Sequence, residues 1–187
     1  MIRLVIGLII ILLFTISIIV GFNTSQQLGL AVREILREQF SPLTSYFNAS
    51  DPASLFLLSL IIFTNNMRVA LLNIVLGVSL VGPAGIMVVN GFIIGLVLSI
   101  QEDVVSGVLV IIPHGVLEIP ALIYSAVLGT HLGLTILTNI RRNPAKVREV
   151  FRDVIRKIPI IVLMLILAAL IEVFVSLLIV APFVSSS

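Results

Sequence analysis

The sequence predicts an all-α membrane protein, a polytopic helical bundle of about five spans that forms one integral membrane domain over residues 1–187. Three observations predict it: a mean hydropathy of +1.28, a hydrophobic fraction of 59% and a charged fraction of only 11%. A soluble domain usually has about a quarter of its residues charged. So few charges could not cover this much Leu, Ile and Val in water, so lipid must be the solvent for most of the surface.

Apolar runs predict the positions of the spans. The five predicted spans are about 4–22, 53–81, 86–100, 104–138 and 158–180. At about 1.5 Å per residue, the first run can cross a hydrocarbon layer of about 30 Å. A cleaved signal peptide is the alternative for this run. We interpret it as a retained anchor because it exceeds a normal h-region and no A-x-A site follows before Asn23.

Two of the predicted spans are too long to cross the bilayer without tilting, and we expect both to be kinked or broken. Span 53–81 contains Asn65-Asn66, and it is either one bent, tilted helix or two half-helices that meet near the asparagines. Span 104–138 contains Pro113-His114-Gly115, with Pro120 following. Because proline removes a helical hydrogen bond and glycine loosens the turn, we predict a helix break or kink at Pro113, Gly115 and Pro120.

The segments between the spans predict the orientation. Residues 139–157 hold seven of the eleven basic residues and are predicted to be a basic loop, which the positive-inside rule places in the cytoplasm. Counting spans back puts the N-terminus in the cytoplasm and the C-terminus outside a cell membrane. The turn at 82–85 then lies inside. The 24–41 segment lies outside and has helical amphipathic spacing, typical of a surface or partner-binding helix or of a solvated linker.

Ionisable residues inside the spans form the candidate site. A charge at bilayer depth costs a few kcal/mol, so it normally faces protein or trapped water and has a partner. Arg68, His114, Glu118 and Glu172 each lie near the middle of a predicted span, which predicts that they converge. We hypothesise that Arg68 neutralises Glu118. A purely structural network that fixes helix packing is the alternative. The predicted intramembrane polar network is Asn65, Asn66, Arg68, Asn73, Asn90, His114, Glu118 and Glu172.

The composition of the chain and the spacing of its polar residues argue against catalysis and against metal or cofactor binding. The chain has no cysteine, so it has no thiol nucleophile and no thiolate metal site. His114 and Glu118 offer two ligands on one helical face, while zinc needs at least three, and His131 lies nearer the cytoplasmic end. The serines have no evident base, and no phosphate-binding glycine loop is present. We therefore expect no catalytic residue, no metal and no cofactor. We also expect no nucleic acid, because the basic excess is explained by orientation.

Three spaced motifs resemble a known family. They are Asn65-Asn66-x-Arg68, then Asn90-Gly91, then Pro-His-Gly-x-x-Glu-x-Pro over 113–120. Over about residues 55–135 the chain resembles the stage II sporulation protein M family of integral membrane proteins. The resemblance implies five spans and a membrane scaffold, which in spore formers recruits cell-wall-degrading partners during engulfment. The family's motif residues correspond here to Asn65, Asn66, Arg68, Asn90, Gly91, Pro113, His114, Gly115, Glu118 and Pro120.

We therefore expect a non-enzymatic membrane scaffold or assembly component. Its partners would be membrane lipid, other membrane proteins or further copies of itself, and they would bind the 23–51 segment and the small-residue faces at Gly91, Gly95, Gly129 and Gly133. The alternative is a transporter or permease component with a mid-membrane His/Glu/Arg site. Interrupted spans are typical of substrate-binding broken helices, and His114 could carry a proton. An intramembrane enzyme ranks third.

Overall fold

A computed structural model describes residues 1–24, 28, 30, 31, 34, 51–99 and 104–184, without the side chains of 104–114 and 174–184. It contains five long helices: α1 Ile2–Phe22, α2 Pro52–Val75, α3 Val81–Ser99, α4 Val104–Asn139 and α5 Pro144–Val184. Each contains a stretch long and apolar enough to cross a membrane, and the described residues form no strand. The prediction of an all-α bundle with five spans is confirmed. The expected amphipathic segment 24–41 falls largely outside the described residues.

The start of α2 is set by an aspartate followed by a proline. The Asp51 carboxylate accepts hydrogen bonds from the backbone N–H groups of Ala53 and Ser54, both at 3.2 Å, and from the Ser54 hydroxyl at 2.9 Å. These bonds satisfy first-turn donors and hold the pKa of Asp51 below its ordinary value, the Ser54 hydroxyl contributing most. From there α2 runs as one helix through Asn65-Asn66, so it is not two half-helices that meet at the asparagines.

The chain reverses between α2 and α3 slightly earlier than predicted. A 3₁₀ turn over Leu76–Ser79 ends at Leu80, whose φ of 62° is in the left-handed region. The segment 82–85, predicted as the turn, is instead the first turn of α3. Pro83 is tolerated there because the first amides of a helix have no intrahelical acceptor. The Ser79 hydroxyl accepts the backbone N–H of Gly82 at 2.9 Å.

The longest predicted span, α4, is one helix from Val104 to Asn139. The chain is therefore not divided into half-helices at Pro113, Gly115 or Pro120. A proline removes one helical hydrogen bond and crowds the carbonyl four residues earlier, but neighbouring helices in a membrane bundle can hold the helix together around it.

The basic segment differs from its prediction as a loop over 139–157. Only residues 140–143 connect α4 to α5, and the chain is helical from Pro144 onward. Asn143 accepts the backbone N–H of Lys146 at 3.2 Å, so an Asn-Pro pair starts α5 much as Asp51-Pro52 starts α2. The 41 residues of α5 span about 60 Å, roughly twice the hydrocarbon layer. Its basic first turns therefore extend beyond the bilayer.

α4 is the central helix and contacts all four others. It runs parallel to α2, with contacting residues at a constant offset of 52 positions, and antiparallel to α1, where Arg3 meets His131 and Gly7 meets Val127. α1 is parallel to α3, because Gly91 lies against Phe14 and Gly95 against Ile18. These directions alternate along the chain, as consecutive membrane spans require.

Glycines allow two of these helix pairs to pack backbone to backbone. A Cβ atom at Gly129 of α4 would overlap the Asn73 backbone of α2. In the 3₁₀ turn that follows α2, a Cβ atom at Gly77 would overlap the backbone of Gly129, and one at Gly133 of α4 would overlap the backbone of Gly77. Gly91 and Gly95 have the same role in the α1–α3 pair. The small-residue faces that we expected to bind partners are therefore internal. Small residues let helix backbones approach closely in lipid, and here they serve the fold itself.

Gly129→Ala should destabilise the bundle by about 1–3 kcal/mol, because its methyl group would overlap the Asn73 carbonyl oxygen and force α2 away from α4. Thermal unfolding in detergent measures this. Gly85→Ala is the matched control, since no neighbouring atom lies within 4 Å of the place that its methyl group would occupy. Equal melting temperatures for the two variants would contradict the close α2–α4 packing.

Candidate functional site

Polar side chains line the contact between α2 and α4. Asn66 and Glu118 are each 4% exposed, and the Asn66 amide donates a hydrogen bond to the Glu118 carboxylate. One heptad further on, the fully buried Asn73 donates to the Ser125 hydroxyl at 3.0 Å and the Leu122 carbonyl at 3.3 Å. Residues seven apart share a helix face, so parallel helices at a constant offset bring both pairs together. This line is the α2–α4 polar seam.

The other half of the asparagine motif faces outward. Asn65 and Arg68 are both exposed, and neither makes a side-chain hydrogen bond or ion pair with the described residues. At 100° per residue, Arg68 lies about 200° around α2 from Asn66, while Asn65 and Arg68 lie within about 60° of each other. The expected ion pair between Arg68 and Glu118 is therefore wrong. The helix rotation that directs Asn66 at Glu118 directs Arg68 away from it.

The remaining predicted residues lie at several places. The Asn90 amide donates to the Ile86 carbonyl within α3, at 2.8 Å. Glu172 is half-buried on α5, and the His114 side chain lies outside the described residues. Among the described residues, no three His, Asp or Glu side chains are grouped as metal ligands would be.

A charged cluster at one end of the bundle was missed by the sequence reasoning. Arg3 of α1 pairs with Asp153 of α5 at 2.5 Å and donates to the His131 ring at 3.3 Å, while Lys157 pairs with Asp153 at 2.8 Å. These four residues are the charged layer. The i,i+4 spacing of Asp153 and Lys157 was a visible signal, but it requires the segment to be helical, and we had predicted a loop.

The charged layer is a reference level from which the depth of other residues along the helices can be measured. Ser125 precedes His131 by six residues, about 9 Å along α4, and its partner Asn73 follows Arg68 by five residues, about 7.5 Å along α2. Arg68 therefore lies about 16 Å from the charged layer. Because charged groups are costly inside the hydrocarbon layer, we take the charged layer as one edge of it, which puts Arg68 near the middle of a layer about 30 Å thick. By the same measure Glu172 follows Asp153 by nineteen residues along α5. It therefore lies about 12 Å further from the charged layer than Arg68 does.

Comparison with known proteins places this arrangement in a family. The family model described as Stage II sporulation protein M matches residues 10–177, most of the chain. The chain belongs to this family. The match extends the motif resemblance of residues 55–135 to all five helices. Comparison with the curated proteins and with the solved structures found no match.

The motifs that resemble this family separate into two groups in the structure. Asn66 and Glu118 lie inside the α2–α4 polar seam, while Asn65 and Arg68 lie on the outer face of α2. The inward pair holds two helices of the chain together. The outward pair is exposed at mid-membrane depth, and we name it the α2 polar spot.

Asn66→Ala should lower the free energy of unfolding by about 1–3 kcal/mol, because it removes a hydrogen bond to a buried carboxylate. Asn65→Ala, one residue away on the outer face, should change it by less than about 0.5 kcal/mol. Melting temperatures in detergent compare the two. A larger loss at Asn65 than at Asn66 would reverse the inward and outward assignment.

Proposed function

We propose that this protein is a non-enzymatic membrane scaffold, an assembly component that holds another membrane protein against the outer face of α2. The observation that carries the proposal is the α2 polar spot. Asn65 and Arg68 are exposed near mid-membrane and have no partner among the described residues. A polar group in this position normally faces protein or trapped water rather than acyl chains.

The energetic argument rests on depth. An arginine at the centre of a membrane helix costs about 2.5–3.5 kcal/mol on insertion scales. Long basic side chains near helix ends avoid this cost by extending to the headgroups, whereas Arg68 lies about 16 Å from the charged layer. Its stem alone does not bring the guanidinium to either surface. A protein partner that hydrogen-bonds the guanidinium would offset the cost.

The rest of the α2 outer face suits contact within the membrane. Leu60, Leu71, Leu72 and Val75 are all exposed around the polar spot. Of the five candidate spans, the one containing α2 has the smallest share of buried residues. The face therefore combines a broad apolar surface with one polar position, which would fix the depth and rotation of a docked helix.

We further propose that the charged layer lies at the cytoplasmic side. The connection 140–143 and the first turns of α5 hold most of the basic residues, and Arg3 precedes the first apolar run. The positive-inside rule then puts the N-terminus in the cytoplasm and the end of α5 outside.

The transporter alternative receives no added support. It depended on broken helices around a central site, and both α2 and α4 continue through the positions where breaks were expected. The surface pocket lined by Leu137, Ile140 and Arg142 lies at the end of α4, away from Glu118.

A photocrosslinking residue at Leu72, on the outer face of α2, should capture one membrane protein in the cells that make this chain. Leu12, exposed at mid-depth on α1, is the matched control and should capture lipid only. The double variant N65L/R68L should lose the captured protein yet melt at the same or a higher temperature. If Leu72 captures nothing but lipid, the scaffold proposal fails.

The chain has no cysteine, so single-cysteine variants test the orientation directly. Ala145→Cys, at the exposed start of α5, should react with an impermeant thiol reagent only after the cell membrane has been permeabilised. Ala53→Cys, at the exposed start of α2, should react in intact cells. The opposite pattern would reverse the orientation.

A further inference from the structure

We infer that the partner docked on α2 presents a carboxylate, from an Asp or Glu on a transmembrane helix, at the depth of Arg68. This inference rests on the proposed scaffold function and adds the chemistry of the partner. The charge, geometry and depth of the α2 polar spot support it.

The donors of the α2 polar spot match a carboxylate. The Arg68 guanidinium has five N–H donors in a fixed fork and no acceptor, so it binds a carboxylate through two parallel hydrogen bonds. Asn65 is one turn away on the same face, at i,i+3 spacing, and its amide can donate to the same group. Two adjacent donors at mid-membrane require an acceptor that also cancels the positive charge.

The part of the chain that the structure describes does not supply that acceptor. Beyond the level of the charged layer, the described carboxylates of α1–α5 are Glu118 and Glu172. Glu118 is buried and accepts from Asn66, on the opposite side of α2 from Arg68. Glu172 is half-buried on α5, lies about 12 Å further out and is already engaged. No carboxylate of α1–α5 near this depth therefore faces Arg68, which favours another molecule as the source of the counter-charge.

A second copy of the chain fits poorly. Copies related by a two-fold axis along the membrane normal would pack α2 against α2 at equal depth, which would bring Arg68 against Arg68. Two like charges at the bilayer centre repel, and no exposed carboxylate is described at that depth to separate them. A lipid phosphate lies at the headgroup level, about half a bilayer away. An acidic helix of a different protein satisfies both charge and depth.

Designed peptides test the inference. The protein, labelled at Ala145→Cys, is reconstituted in phosphatidylcholine vesicles with dye-labelled Leu/Ala transmembrane peptides about 23 residues long. A peptide with one central Glu should give saturable energy transfer, and the same peptide with a central Leu should give only the random-collision baseline. Moving the Glu seven residues toward one end, about 10 Å, should weaken binding.

Substitutions at Arg68 complete the test. Arg68→Gln should weaken binding of the central-Glu peptide by about thirtyfold or more, since it removes one side of a desolvated charge pair. Arg68→Lys should retain part of the affinity, because it keeps the charge without the fork. Both variants should melt as the parent protein does, since Arg68 is exposed and makes no hydrogen bond or ion pair with the described residues.

Four outcomes would overturn the inference. Two concern the peptides: equal binding of the Glu and Leu peptides, and binding of the Glu peptide that is unchanged in Arg68→Gln. The third is efficient disulfide formation between two Leu72→Cys copies. The fourth is an affinity for anionic lipid, in place of the peptide, that depends on Arg68. If Leu72 still captures a membrane protein in cells while the Glu peptide does not bind, the scaffold proposal stands and only the carboxylate partner is rejected.

Discussion

The close parallel packing of α2 against α4 is the constraint on which the rest of the structure depends. Gly129 of α4, and Gly77 in the turn that follows α2, let the two backbones touch, and a contact this close restricts the register and rotation of the helices. The same offset of 52 residues then places Asn66 opposite Glu118 and Asn73 opposite Ser125. In lipid there is no hydrophobic force to draw helices together, so backbone proximity and buried hydrogen bonds must supply the association.

That rotation also determines what α2 presents to the outside. Neighbouring positions on a helix point about 100° apart, so two adjacent asparagines cannot both face α4. With Asn66 directed inward, Asn65 and Arg68 are directed outward, even though lipid is an unfavourable environment for polar side chains. The polar outer face is thus linked to the polar inner seam, and a family motif read as one cluster has two separate roles in the fold.

The sequence predicted some parts of this arrangement and not others, for identifiable physical reasons. Hydropathy located all five spans because each must fill a bilayer with apolar residues. Asp51-Pro52 marked a helix start correctly, but the equivalent Asn143-Pro144 was overlooked because the charges around it suggested a loop. That Asn66 and not Arg68 meets Glu118 could not be predicted, because depth restricts which residues can meet but helix rotation decides which of them do. Rotation depends on contacts between helices about 50 residues apart in sequence.

The separation of inner and outer polar groups has a consequence for how such a protein could work. If Arg68 were paired with Glu118, its charge would stabilise the isolated chain and be unavailable to a partner. Because Asn66 binds Glu118 instead, the bundle can fold with its own carboxylate satisfied while Arg68 stays exposed. On the proposed scaffold function, the cost of leaving that arginine in lipid would fall on the unassembled protein and be relieved when a complementary helix binds. The proposed scaffold would then be stable alone but more stable in its assembly.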